Sequence, residues 1–146
     1  MLRKLHKAWA LSWADWRLLV NISALLLKVR VLLKLFPFKV VMRRLSGTAG
    51  PQNEALSPDW AAYLLELASR YHVLTPTCLE KALVLCSILR TRGITAELTI
   101  GTRKENGQFH AHAWVEHQGQ IIMGKPVEPY AELLTVVTGR SQRKLA

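Results

Sequence analysis

The sequence predicts an α+β fold in which helices come first and a small antiparallel sheet follows. Apolar residues recur at helical spacing in three segments, residues 12–36, 57–71 and 77–92. Apolar and polar residues alternate from Ala96 to Thr102, as is typical of a strand, and two further strands are predicted from Gln108 to Glu116 and from Gln120 to Met123. Asn106-Gly107 is a strong hairpin signal, and Gln118-Gly119 turns the chain again. The strands that these turns separate are therefore expected to pair antiparallel.

Length and composition indicate a folded chain, and the spacing of its two cysteines indicates that they do not form a disulfide. With 146 residues, half of them apolar, the chain can bury a substantial core and is not expected to be disordered. Cys78 and Cys86 lie in one predicted helix, roughly 80° apart around its axis and about 12 Å along it, which is beyond disulfide reach. The apolar run from Leu18 to Leu27 is about half of what a membrane-spanning helix needs. Asp15 interrupts any secretory signal, and free thiols suit a reducing compartment, so we expect a cytoplasmic protein.

Positive charge is concentrated in the first third of the chain. Residues 1–48 contain ten Lys or Arg against a single acid, Asp15, whereas residues 49–146 contain ten against nine. The stretch from Ser46 to Leu56 is rich in turn formers and indicates a linker. We therefore predict a basic, Leu-rich helical extension at residues 1–48 and a core at residues 49–146. Aromatic residues are not interleaved with these charges, so no nucleic-acid partner is expected.

The first predicted helix has two apolar faces. Ser12 and Asp15 form a start signal, and Pro37 predicts an end near Phe36. The wider face is expected to pack on the body of the protein and comprises Leu18, Ile22, Leu25, Val29, Leu32 and Phe36. The narrower face comprises Val20, Ala24, Leu27 and Val31. The simplest cover for it is the next helix, from Phe38 to Leu45, and the alternatives are a partner protein or peripheral contact with a membrane surface.

Two further helices carry their own signals. Ser57-Pro58-Asp59 opens the first of them, and its expected buried face comprises Trp60, Leu64, Leu67 and Tyr71. The run from Thr77 to Glu80 matches a capping box, so the next helix is expected to begin at Cys78 and to end at Gly93. Cys86 follows the apolar period of that helix and is expected to be an inert core thiol.

Cysteine and histidine are the candidate catalytic residues. Cys78 would be the first residue of its helix, where the helix dipole favours a thiolate. His110 and His112 share one strand face with Trp114 and Glu116, and an imidazole there can take the thiol proton. A buried, apolar cysteine with two structural histidines is the alternative. A metal site would lack further ligands, so no metal or other cofactor is expected.

Four stretches carry a family resemblance: Thr77-Cys-Leu79, Arg90-x-Arg-Gly-Ile94, Glu97-Leu-Thr-Ile-Gly101 and Ala111-His-Ala-Trp-Val-Glu116. With the Leu-rich basic helix that precedes Phe38, they resemble the transglutaminase-like cysteine peptidases of lasso-peptide biosynthesis, over roughly residues 12–124. The resemblance implies a transglutaminase/papain-like core, in which a Cys-bearing helix packs on a small antiparallel sheet that bears the His.

The resemblance also implies an activity and its partners. Cys78 matches the nucleophile and His112 the general base, whereas His110 does not match the key position. The implied reaction is proteolytic removal of the leader from a ribosomally synthesised precursor peptide. The implied partners are that precursor, a small leader-recognition protein and an ATP-dependent cyclase that closes a lactam on the freed amine.

One element of the family pattern is missing. Such families commonly place an Asp on the next strand to orient the histidine, but both Asp residues of this chain precede the cysteine. With a two-residue turn at Gln118-Gly119, residue 112 would pair with residue 125, and the acid position falls on Gly124 or Lys125. Glu128, just beyond, is the third catalytic candidate. Glu116 or a backbone carbonyl are alternatives, and the orienting group can also be absent.

Two other functions fit the same residues. A transglutaminase-like acyl or amide transferase would use the same Cys and His with an amine instead of water as acceptor. A catalytically degenerate partner-binding protein is the second alternative, because the Asp is missing.

Overall fold

The computed structural model describes residues 11–45, 49–51 and 55–138, which form four helices followed by four strands. The helices are α1 (Trp13–Leu35), α2 (Phe38–Leu45), α3 (Pro58–Tyr71) and α4 (Cys78–Thr91). The strands are β1 (Ala96–Glu105), β2 (Gln108–His117), β3 (Gln120–Met123) and β4 (Ala131–Thr138). They form one antiparallel sheet in the order β3-β2-β1-β4. The predicted α+β fold is confirmed. Residues 139–146 and most of the predicted linker lie outside the described residues.

α1 begins and ends where its sequence signals predict. The Ser12 hydroxyl accepts a hydrogen bond from the Asp15 N–H (3.2 Å), and the Asp15 carboxylate accepts one from the Ser12 N–H (2.9 Å). The Trp60 indole also donates to Asp15, at 2.9 Å, and so ties the start of α1 to α3. The hydrogen bond from Trp60, together with those of Ser12, holds the pKa of Asp15 below its usual range. At the other end Phe36 is the C-cap, and Pro37 follows it.

The core lies between the inner face of α1, helices α3 and α4, and one face of the sheet. α1 contributes four buried residues, Leu18, Ile22, Leu26 and Val29. They belong to one cluster with buried residues of α3, α4 and the first three strands. Three of the four lie on the predicted wider face, which is thereby confirmed as the packing face. The division into an extension and a core at residue 48 stays a prediction, and α1 shares its core with the helices that follow.

The narrower apolar face of α1 has no cover within the described residues. Val20, Leu27 and Val31 expose 69%, 51% and 44% of their surface. The expectation that α2 covers this face is wrong, because the buried residue of α2, Val41, packs in the main core instead. Across the described ranges, no helix combines the length and the apolar character needed to cross a membrane.

α4 is the central helix. Residues 82–89 are all buried, which confirms that Cys86 faces the core. Burial raises the pKa of the Cys86 thiol to about 12, against the opposing effect of a hydrogen bond with Thr138. Gly93 follows the helix with φ of 70°, a left-handed conformation that ends it as predicted. On α3, the prediction that Tyr71 is buried is wrong: Tyr71 is 81% exposed, because it is the last residue of the helix.

The sheet differs from the predicted one in two respects. β4 is not predicted from the sequence, because no short turn precedes it: Gly124 to Tyr130 connects β3 to the far edge of the sheet, beside β1. The register of β2 and β3 also shifts at a bulge between Val115 and Glu116, so that Val115 lies opposite Met123. The predicted pairing of residues 112 and 125 is therefore wrong. β3 ends before it reaches the level of His112.

Candidate active site

Cys78 is the first residue of α4 and lies next to a complete capping box. The Thr77 hydroxyl accepts a hydrogen bond from the Glu80 N–H (3.2 Å), and the Glu80 carboxylate accepts one from the Thr77 N–H (2.8 Å). The thiol is half-buried against the edge of the core. Cys78 thus lies in the first turn of α4, at the positive end of the helix dipole, which is a position that favours a thiolate nucleophile.

Arg30 of α1 holds this helix start from outside. Its Nε and one terminal nitrogen donate to the two carboxylate oxygens of Glu80, at 2.9 and 3.1 Å, and the same terminal nitrogen donates to the Thr75 carbonyl at 2.6 Å. Burial acts to raise the pKa of Glu80, but hydrogen bonds from Arg30 and Thr77 outweigh it and hold the pKa below its usual value. Helical periodicity gives no sign of this contact, because the partner of Arg30 is 50 residues away in sequence.

His112 lies on β2 opposite Gly101, with its ring fixed by the backbone. Its Nε2 is 2.7 Å from the carbonyl oxygen of Gly124. A carbonyl oxygen only accepts hydrogen bonds, so Nε2 carries the proton and the lone pair of the neutral ring is on Nδ1. Gly124 has φ of 75°, and a Cβ there would lie 2.7 Å from the carbonyl oxygen of Ala113. Glycine is therefore required for the chain to bring this carbonyl to the ring.

An open cleft of about 200 Å³ adjoins His112 and is lined by Arg103, His112, Lys125, Pro126, Val127, Glu128 and Tyr130. Glu128, the third predicted catalytic residue, lies in this cleft but forms an ion pair with Arg103. The Arg103 guanidinium also lies 5.3 Å from the centre of the Tyr130 ring, which in turn is 5.5 Å from the His112 ring. The structure thus brings Glu128 and His112 to one cleft and directs the Glu128 carboxylate to Arg103.

Trp114 lies beside His112, with the two ring centres 6.3 Å apart. It is buried, and its ring lies so close to Gly101 that a Cβ on that glycine would meet ring atoms at 2.9 Å. Its indole N–H donates to the Glu116 carboxylate at 2.8 Å, so this carboxylate contacts the tryptophan and does not orient the histidine. His110, on the same strand face, is exposed to solvent.

Cys78 and His112 are not joined directly in the described part of the chain. Ala113 and Val115 point to the helices and belong to the main core. Because strand side chains alternate, the His112 ring projects from the other face. Over the described residues, no hydrogen bond joins the thiol to the ring, and Cys78 does not line the cleft.

Comparison with known families gives one match. The family model described as the transglutaminase-like superfamily matches residues 23–137, from within α1 almost to the end of β4. That superfamily includes cysteine peptidases and transferases and is commonly made up of cysteine-based enzymes. Neither the curated proteins nor the solved structures contain a match. In the described part of the chain, His, Cys, Asp and Glu do not gather in groups of three or more that could hold a metal ion.

Proposed function

The chain belongs to the transglutaminase-like superfamily, and on that premise we propose that it is a cysteine peptidase that removes the leader from a precursor peptide in lasso-peptide maturation. The position of Cys78 carries the proposal, because the first residue of a capped helix is where a thiolate is stabilised. The motifs around Cys78 and His112 support the choice of leader removal, since they resemble those of lasso-peptide peptidases.

In the proposed reaction, Nδ1 of His112 accepts the thiol proton of Cys78, and the thiolate attacks the carbonyl carbon of the scissile peptide bond. N–H groups at the start of α4 donate to the oxyanion that forms. The C–N bond then breaks as His112 returns the proton to the leaving amine, which becomes the N-terminus of the core peptide. Water hydrolyses the remaining thioester, with His112 as base, and releases the leader carboxylate and free Cys78.

Catalysis by this pair requires the thiol and the ring to approach each other when the substrate is bound. Catalytic hydrogen bonds are often long or absent in free enzymes and tighten in the substrate complex. Cys78 is half-buried at the start of α4, and the His112 ring lies on the face of the sheet away from that helix. On this proposal, substrate binding therefore rearranges the start of α4 or the strand segment that bears His112, so that the thiol and the ring meet.

The Gly124 carbonyl takes the orienting role that we predicted for an acid. A carbonyl fixes the tautomer of His112 but brings no full charge to stabilise an imidazolium, so it supports the base more weakly than an aspartate does. Glu128 is bound to Arg103 instead. On this proposal Glu128→Gln retains most of the activity, whereas His112→Ala abolishes it.

We also propose the partners that this reaction needs. The precursor peptide is delivered by a small leader-recognition protein, and an ATP-dependent cyclase uses the amine that cleavage frees. These partners rest on the resemblance and on the chemistry of the product, a free amine.

The test combines the purified full-length protein, the precursor and the recognition protein, with products weighed by mass spectrometry. We expect a core peptide lighter than the precursor by the mass of the leader. Cys78→Ala and His112→Ala should leave the precursor intact, and their matched controls, Cys86→Ala and His110→Ala, should cleave it. Normal cleavage by Cys78→Ala would disprove the mechanism.

Two other results would redirect the assignment. A precursor joined to an added amine through a glutamine side chain with loss of ammonia, or a leader joined to the amine with release of the core peptide, would identify an acyl or amide transferase that uses the same thiol. Failure to cleave, together with ordinary and His112-independent alkylation of Cys78 in the full complex, would identify a degenerate partner-binding protein.

A further inference from the structure

The outward side of α1 carries a continuous apolar surface, which we call the outer stripe. Its members are all exposed and comprise Trp13, Trp16, Val20, Ala24, Leu27, Val31 and Leu35. At 100° per residue they fall within a sector about 100° wide that runs about 33 Å along the helix. The four buried residues of α1 lie on the opposite side. The outer stripe is therefore a second apolar face that the described fold leaves uncovered.

Positive charge borders the outer stripe on both sides. Arg17 and Lys28 lie along one margin and Lys34 along the other, and all three are exposed. The acid of this helix, Asp15, is bound by Ser12 and by the Trp60 indole. The following helix adds further exposed cations, Lys39, Arg43 and Arg44. The surface around the stripe is thus cationic throughout the described part of α1 and α2.

We propose that the outer stripe docks on an anionic lipid bilayer, with α1 lying in the plane of the interface. A single convex helix with an apolar stripe between two rows of cations matches a flat surface that is apolar inside and negative at its headgroups. Trp13 and Trp16 have the amphipathic rings that favour this boundary. A second copy of the chain is a poorer occupant, because pairing two stripes would bring Arg17, Lys28 and Lys34 against their own equivalents.

Docking in this way leaves the rest of the protein free. The inner face of α1 stays packed on α3 and α4, and the sheet lies beyond α4. The His112 cleft is therefore directed away from the bilayer and stays open to a peptide. The inference does not depend on the proposed peptidase activity.

The experiment measures co-sedimentation of the full-length protein with vesicles of phosphatidylcholine alone or with one quarter phosphatidylglycerol. We expect strong binding to the anionic vesicles only, weakened by salt. Val20→Gln/Leu27→Gln should lower the partition coefficient at least about tenfold. Lys28→Gln/Lys34→Gln should lower it by about tenfold or more, because each cation near an anionic surface contributes about a fivefold factor. The matched control, Phe109→Gln/Leu133→Gln, removes exposed apolar side chains from the sheet and should bind normally.

Circular dichroism of each variant shows whether it is folded, as we expect for exposed positions. Brominated lipids should quench tryptophan fluorescence in the wild type and not in Val20→Gln/Leu27→Gln. Absence of vesicle binding, or binding that this double variant leaves unchanged, would overturn the proposal. Two other results would also overturn the proposal if the protein does not bind vesicles. One is capture of the leader-recognition protein that is lost in Val20→Gln/Leu27→Gln, and the other is self-association in sedimentation equilibrium that is lost in the same variant.

Discussion

Replacing Glu80 by Gln tests how firmly α1 holds the helix that begins at Cys78. The change keeps the shape of the side chain but removes the charge that Arg30 and the Thr77 N–H contact at 2.8 to 3.1 Å. Only 8% of the Glu80 side chain is exposed, so water replaces these contacts poorly. Breaking one side of a buried ion pair costs about 3 kcal/mol. For a chain of this length that lowers the melting temperature by about 6–12 °C.

Urea unfolding followed by circular dichroism at pH 7 measures this loss, and Glu66→Gln is the matched control. Glu66 also pairs with a lysine, Lys81, but its side chain is 43% exposed, and such a pair is worth less than about 1 kcal/mol. The pKa of Glu80 is lowered on folding from its usual 4.5, so its contribution is full above that pH and fades as the pH falls through the folded-state pKa. The difference between wild type and Glu80→Gln should therefore shrink in acid.

Equal stability of Glu80→Gln and Glu66→Gln at pH 7 would refute the reasoning. A second measurement separates positioning from simple stability. In a Cys86→Ala background at temperatures where both proteins are folded, iodoacetamide should label Cys78 faster in Glu80→Gln than without that change, because a helix start that has lost its anchor opens more often. Arg30→Lys should also speed the labelling although it keeps the positive charge, since lysine cannot make the two-pronged contact with Glu80.

Three further outcomes follow from single contacts. Gly124→Ala should destabilise the protein by about 1–2 kcal/mol in urea unfolding, because the left-handed backbone and the close Ala113 carbonyl exclude a Cβ; a neutral substitution would show that the loop moves freely. Asp15→Asn should reduce the loss of unfolding free energy in acid, measured by urea unfolding at a series of pH values, because the charged Asp15 stabilises the fold and this contribution fades as the pH falls through its lowered folded-state pKa. An unchanged dependence of the unfolding free energy on pH would contradict this. In native protein, iodoacetamide should label Cys78 and spare Cys86, whose thiolate is suppressed by burial; mass spectrometry of the labelled peptides decides it, and equal labelling would contradict the buried assignment.

Local chemistry made most of the framework predictable. Both capping boxes, at Ser12 and at Thr77, can be recognised in the sequence from two residues three positions apart, and a helix begins directly after each N-cap. The two-residue turn at Asn106-Gly107 likewise has the positive φ angles, 50° and 79°, that its sequence predicts. Such signals involve neighbours in sequence, so no tertiary information is needed to recognise them.

Features that depend on distant partners were missed. The bulge between Val115 and Glu116 changes the strand register without a glycine or proline to mark it, and it separates His112 from the strand on which an acid was expected. β4 pairs with β1 after a long connection, so turn chemistry gives no hint of it. The hydrogen bond between His112 and the Gly124 carbonyl likewise depends on how that connection folds, and so does the ion pair between Arg103 and Glu128.

The long-range contacts of α1 have a consequence for synthesis of the chain. Asp15 meets Trp60, 45 residues later, and Arg30 meets Glu80, 50 residues later. While the ribosome is still adding those residues, the nascent helix has neither its inner partners nor its charge partner, and both of its apolar sides face water. α1 is thus made first among the described helices but is sheltered only after α3 and α4 have been made. Exposed apolar surface on a nascent chain favours aggregation in that interval, and chaperone binding or early contact with a lipid surface would shorten it.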